Sequence, residues 1–214
     1  MSKKRDSFGT RPPGVLLKEQ AIPASIGILV MSIYSIIDTA FVGLFLGSNG
    51  IAAITVVMPI TFLIAGLGMA IGVGGGSIIS RAFGRGDETL AARVFGNQML
   101  LTLSLSTFFT VIGYFLLEPV LLLFGGKGEV LEPASTYFFI ILPSVPFLAW
   151  AMMSNNVIRA EGFPRLAMVT LIVPAVANLV LDPLRIIVFD MGIAGAAYAT
   201  LASLPAMCHY WRSL

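Results

Sequence analysis

Charge is what this sequence lacks. Only 11% of its 214 residues are Asp, Glu, Lys or Arg, where a soluble domain carries about 25%. A chain so poor in charge cannot cover a water-facing surface. With 57% hydrophobic residues and a mean hydropathy of +0.93, the class is integral membrane protein. Cysteine and histidine are as scarce, one of each. Cys208 alone excludes an intramolecular disulfide and a cysteine metal cluster, and His209 alone excludes a histidine triad or zinc site. The net charge of +2 is too small to point to nucleic acid. The first apolar run is longer than the core of a signal peptide and more apolar chain follows, so it reads as a retained helix.

Long apolar runs are what is there. A bilayer core of about 30 Å needs about 20 apolar residues in a helix. Six runs qualify: Val15–Leu46, Ile51–Ser80, Val94–Phe124, Ala134–Ile158, Leu166–Phe189 and Met191–Trp211. Turn signals separate them at Gly47-Ser48-Asn49-Gly50, Gly84-Arg85-Gly86-Asp87 and Gly125-Gly126-Lys127-Gly128. The predicted fold is therefore an all-α membrane protein of six transmembrane helices over residues 15–214, behind a short N-terminal tail, residues 1–14.

Basic residues set the orientation. Six spans put both termini on one side. Eleven of the 13 lysines and arginines fall on that side, among them Lys3, Lys4, Arg5, Arg11, Lys18, Arg81, Arg85, Arg93, Arg159, Arg165 and Arg212. Only Lys127 lies in a loop opposite, among Glu118, Glu129, Glu132 and Asp190. Positive loops stay inside, so both termini are expected in the cytoplasm of a multi-pass protein of the cell (inner or plasma) membrane. These basic loops read as topology determinants rather than ligand sites.

Three ionisable residues fall inside spans away from their ends: Asp38, Asp182 and Arg185. Such groups are costly in hydrocarbon and normally face a cavity or a partner. An aspartate can simply tie two helices together, and that reading stays open for each alone. Depth gives them company. Asp38 lies eight residues from Leu46, about 12 Å at the helical rise; Asp182 lies seven from Phe189, about 10 Å; Thr200 lies nine from Met191, about 14 Å. Asn178 and Tyr34 each lie four residues before an aspartate, on the same helix face. Carboxylates, an amide, a hydroxyl and a phenol at one depth suit a small hard cation or a proton. Pro183 and Pro174 remove helix hydrogen bonds nearby, and Pro23 does so near the start of the first span, where a bend is expected.

The glycine-rich run "GLGMAIGVGGGSIISRAFGRGD" has no preceding strand and no Gly-Lys-Ser/Thr, so it is no phosphate loop. Gly66, Gly68, Gly72, Gly74, Gly75 and Gly76 lie inside a span, where small residues let helices approach closely.

The stretches "IIDTAFVGLFLGSNGIAAITVVMPI", "GVGGGSIISRAFGRGDETLAARVFGNQ", "NNVIRAEGFPRLAMV" and "NLVLDPLRIIVFDMGIAGAAYAT" cover most of residues 36–200. In order and spacing they resemble the N-terminal half of the multidrug and toxic compound extrusion (MATE) transporters. The resemblance implies one six-helix lobe of a twelve-helix antiporter. Such a protein exports organic cationic or amphipathic compounds, drugs included, in exchange for sodium ions or protons. It implies no enzyme activity and no organic cofactor. By the same resemblance Asp38, Asn178, Asp182 and Thr200 bind the coupling cation, a candidate sodium site included. Tyr34, Tyr137 and Asn155 join as substrate or proton-network residues, and Pro23 bends the first helix. Two departures stand out. The chain as read ends after the sixth helix, so a cleft would need a second six-helix half or a second copy; the alternative is a truncated, non-transporting module. Arg185 stands where the family usually has an apolar or aromatic residue, either to pair with Asp182 or to snorkel outward.

Overall fold

The computed structural model describes residues 12–203 of the chain. Lys3, Lys4, Arg5, Arg11, Cys208, His209, Arg212 and the last part of the sixth expected span, residues 204–211, lie outside them. Among the described residues the chain is all helix with connecting turns. The elements are α1 (Pro13–Gly84), α2 (Glu88–Phe115), α3 (Leu117–Leu123), α4 (Leu131–Ile141), α5 (Val145–Ala160), α6 (Pro164–Pro183) and α7 (Gly192–Ser203).

Helix α1 holds 72 residues, about 108 Å if straight and more than three times the hydrocarbon core. It is two spans joined at one residue. Gly47 has φ 70° and ψ −166°, and every other residue of α1 keeps helical angles. That region belongs almost wholly to glycine. The turn doubles the chain back: a Cβ placed on Gly43 would lie 2.8 Å from Ile51 Cδ1, whereas eight residues of straight helix separate their ends by about 12 Å. Asn49 Nδ2 donates to Glu129 Oε2 at 3.2 Å, tying the turn to the segment before α4. The sequence placed a four-residue turn at 47–50, but Gly47 alone makes it. The helix runs through the buried Pro23 with helical angles, and the departure comes at Gly47. A proline costs a helix one hydrogen bond and the rest of the ladder can carry the rod in a membrane.

The third expected span also divides. Helix α2 ends at Phe115, and α3 starts after Leu116 (φ −108°, ψ 23°) and packs on α4. Pro119 is the reason. In a continued helix its ring would meet the carbonyl of Phe115, but in the first turn of α3 its missing N–H has no role to fill. The fourth span is one rod with a tight seam, the 3-10 turn Leu142–Ser144 between α4 and α5. Pro146 lacks the N–H that would reach Leu142 O. The N–H of Val145 takes that carbonyl instead, and Thr110 Oγ1 of α2 approaches it at 3.5 Å. After Pro183 the ladder widens into a π-turn, Leu184–Val188, closed by Phe189 N–H to Leu184 O at 3.1 Å.

The second arm of α1, residues 48–84, packs on α5 and α2, and the first arm, residues 13–46, packs on α6. Glycines make the closest approach. A Cβ on Gly72 would lie 2.7 Å from Met153 O, and one on Gly76 would lie 3.2 Å from the Ala160 side chain. Gly68 sits equally tight on the Ala149 backbone. The packing role expected of the glycine run is what the fold shows for these positions, while Gly66 and Gly74 face open space. Two apolar clusters are the largest in the core. One gathers Val42, Val57, Leu121, Phe138, Leu142, Ile186 and Ala197 near the Gly47 end; the other gathers Ile79, Ala82, Ala91, Met153 and Val157 near the Gly84 end. Outward side chains such as Phe62, Leu100 and Val180 are large, apolar and exposed, a surface made for hydrocarbon rather than water. The protein is an all-α membrane protein of six helical passes, the sixth described as far as Ser203.

Candidate functional site

Four helices bring polar side chains to one place near the Gly47 end. The first arm of α1 supplies Tyr34 and Asp38, α4 supplies Tyr137, α6 supplies Asn178 and Asp182, and α7 supplies Thr200. Period places the pairs: Tyr34 and Asp38, like Asn178 and Asp182, are four residues apart and share a helix face. The carboxyl of Asp38 lies beside that of Asp182. The hydroxyls of Tyr34 and Tyr137 both lie close to Thr200. Thr200 Oγ1 donates to Ala196 O at 3.2 Å, which sets its rotamer.

The Asn178 amide is the centre of the network. Its orientation follows from its neighbours. With the nitrogen turned to Asp182, it donates to both carboxyl oxygens, to Oδ1 at 2.9 Å. The amide oxygen then accepts from Thr200 N–H at 3.2 Å and from the Tyr34 hydroxyl at 3.1 Å. Asn178 and Asp182 are buried, at 2% and 1% exposure, whereas Tyr34, Asp38 and Thr200 are half-buried. The site is thus walled by α6 and more open on the side of the first arm. Among the described residues no histidine, cysteine or third carboxyl joins the pair. The available ligands are hard oxygens: two carboxyls, one amide oxygen, a threonine hydroxyl and two phenols.

Two residues stand apart from this cluster. Asn155 is buried, but its nitrogen donates to Ala167 O at 2.7 Å and Thr170 Oγ1 at 3.0 Å, joining α5 to the start of α6. Thr170 is eight residues before Asn178, about 12 Å along the helix. Arg185 forms no ion pair with Asp182 among the described residues. Its guanidinium lies over the Tyr198 ring, 5.9 Å from the centroid, within the range of a cation–π contact. The close approach of Gly195, whose Cβ would lie 3.0 Å from Arg185 O, seats α7 against the π-turn and brings Tyr198 within reach. Tyr198 carried no signal in the sequence, since an aromatic in an apolar run is ordinary.

The MatE family profile matches residues 23–184, which hold the first-arm and α6 parts of this cluster. The chain belongs to the MatE family. A multidrug export protein, MepA of Staphylococcus saprophyticus, is 32% identical over 183 residues, covering 86% of this chain and 41% of MepA. The MATE multidrug transporter DinF-BH, solved with a bound ligand, superposes with a TM-score of 0.87 at 40% identity, over 94% of this chain and 45% of that one. A MATE transporter solved with MaD3S gives a TM-score of 0.90 at 28% identity, over 98% and 47%. The chain therefore spans under half the length of the relatives it matches. It has the fold of one six-helix MatE lobe and is a membrane protein of a transport family.

Proposed function

We propose that this MatE chain is the ion-binding, N-terminal lobe of a cation-coupled antiporter that exports organic cations or drugs. The observation that carries the reading is the placing of Asp38 beside Asp182, with Asn178 donating to the Asp182 carboxyl, in one oxygen-rich cluster. Two carboxylates offer only acceptors, so a close pair is satisfied by a proton on one of them or by a cation. Removing that proton leaves two like charges facing each other in a low-dielectric site. The pair can therefore take up and release a proton, and the two states favour different helix arrangements. A coupling ion moves a transporter only through such a difference in affinity between conformations. Sodium is the alternative ion. Asp38, Asp182, Thr200 Oγ1 and the oxygen of Asn178, once its amide turns, are ligands of the right hardness for it.

The named activities of the relatives, multidrug export for MepA and multidrug transport for DinF-BH, support drug-like compounds as cargo. No organic cofactor enters this scheme. The cleft would form against a second lobe, supplied by further chain, a separate polypeptide or a second copy. Dye export measured in a full-length context tests the reading. Asp38→Asn should abolish export while membrane insertion stays normal, and unimpaired export by that variant would sink the assignment. A second reading, a membrane module inert until a partner half binds, is favoured by the coverage of 41% of MepA. Dye efflux from cells expressing these residues with and without a separate second half separates the two.

A further inference from the structure

A second set of polar groups lies at the junction of the second arm of α1 with α2 and α5, and it shares no residue with the carboxyl cluster. Gln98 is 5% exposed, and neither atom of its amide has a hydrogen-bond partner among the described residues. Thr102 is 2% exposed and its Oγ1 is likewise unpartnered. The two are four residues apart on one face of α2. Trp150 Nε1 on α5 is a third buried atom without a partner, and its ring packs in one cluster with Val94, Phe95 and Met99 of α2. The Gln98 amide rests against Gly75, in the space a larger residue would fill. Thr102 lines a small cavity of about 10 Å³ together with Gly68, Ile71, Ser106, Phe109 and Ala149.

A bilayer supplies no hydrogen bonds to groups at this depth, so an unpaired amide and hydroxyl there are costly. Their chemistry says what would satisfy them. Gln98 offers a donor and an acceptor, Thr102 offers both, and Trp150 offers a donor. Ser106 Oγ donates to Thr102 O at 2.7 Å and keeps its lone pairs free to accept. A bare cation would meet the N–H donors of Gln98 and Trp150 and no carboxylate. An anion would meet no cationic side chain among these groups. A neutral molecule that both donates and accepts fits, and a space of about 10 Å³ admits one no larger than water. Gly68 lines that space, and Gly75 gives the Gln98 amide its place one turn away.

We propose that this junction is a hydration site, in which Thr102 Oγ1 in the cavity and the Gln98 amide one helical turn away from it are bridged by water between α2 and the glycine face of α1. The water bridges helices that meet there through small residues and lets their polar groups trade partners without opening the apolar packing. Radiolytic footprinting in ¹⁸O-labelled water, on the chain in lipid nanodiscs, tests it. Labelled oxygen should appear on Leu105 and Phe109, well above the level on Phe138 in the dry cluster. That signal should fall several-fold in Thr102→Val and survive in Thr102→Ser. A wild-type signal no higher than that of Phe138 would overturn the proposal. So would one that Thr102→Val leaves unchanged, or one that vanishes when sodium replaces potassium. Thermal unfolding gives an independent readout. A bound water makes Gln98→Leu neutral or destabilising, whereas a rise in its melting temperature would mean a dry, unpaired amide and would overturn the site.

Discussion

Asp38 on the first pass and Asp182 on the fifth meet in one cluster from helices that are 144 residues apart in sequence. On the proposed function the pair shares a proton, and raising the pH removes it and sets two like charges against each other. We expect the first arm of α1 and α6 to move apart as the pH rises, by a change in distance between spin labels at Ile36 and Val180, both exposed. In Asp38→Asn the amide can donate to Asp182 with no titrating proton, so the distance should stay short across the same pH range. A variant that still opens with pH would place the switch elsewhere.

Close packing of glycine makes a paired prediction. Gly72→Ala puts a methyl 2.7 Å from Met153 O, and over-packing of this kind costs about 1–3 kcal/mol. Gly74→Ala, two residues on, meets open space, and replacing a helical glycine gains up to about 1 kcal/mol. Unfolding in detergent should therefore show opposite shifts, or a loss at Gly72 with none at Gly74. Equal effects would contradict the assigned helix face.

Asn155 and Asn178 look alike in the sequence and should behave differently. Asn155→Ala removes the donor to the Thr170 hydroxyl and leaves the Ala167 carbonyl with Thr170 alone as a side-chain donor, a loss of about 1–3 kcal/mol in stability, and leaves the pH response of the carboxyl pair unchanged. Asn178→Ala strips a donor from Asp182 and should shift that pH response. Stability and spin-label titrations on the two variants check both halves of the expectation.

Much of this was legible because it follows from period and depth. The apolar runs gave the passes. The four-residue spacings put Tyr34 with Asp38 and Asn178 with Asp182, and depth put Thr200 at their level. Contact between them was not legible, since it depends on how α6 and the first arm pack. Asn155 was assigned by family likeness to a network from which its bonds to Ala167 and Thr170 remove it. The break at Leu116 needed only the weight of Pro119, which a long apolar run masked. Gln98 and Thr102 raised no alarm, because uncharged polar residues are common in apolar runs and their lack of partners is a property of the packed structure.

The one-residue turn at Gly47 makes the first arm a lever. The second arm is gripped by α5 through Gly68, Gly72 and Gly76, so a tilt of the first arm against α6 would pivot at Gly47. Asp38 lies nine residues from that pivot and Gly27 lies twenty, arms of about 14 and 30 Å. A tilt begun by the gain or loss of one proton at Asp38 is roughly doubled where Gly27 meets Met168 and Leu171. Chemistry at one end of the lobe would thereby be read as displacement at the other, with no loop in between to absorb it.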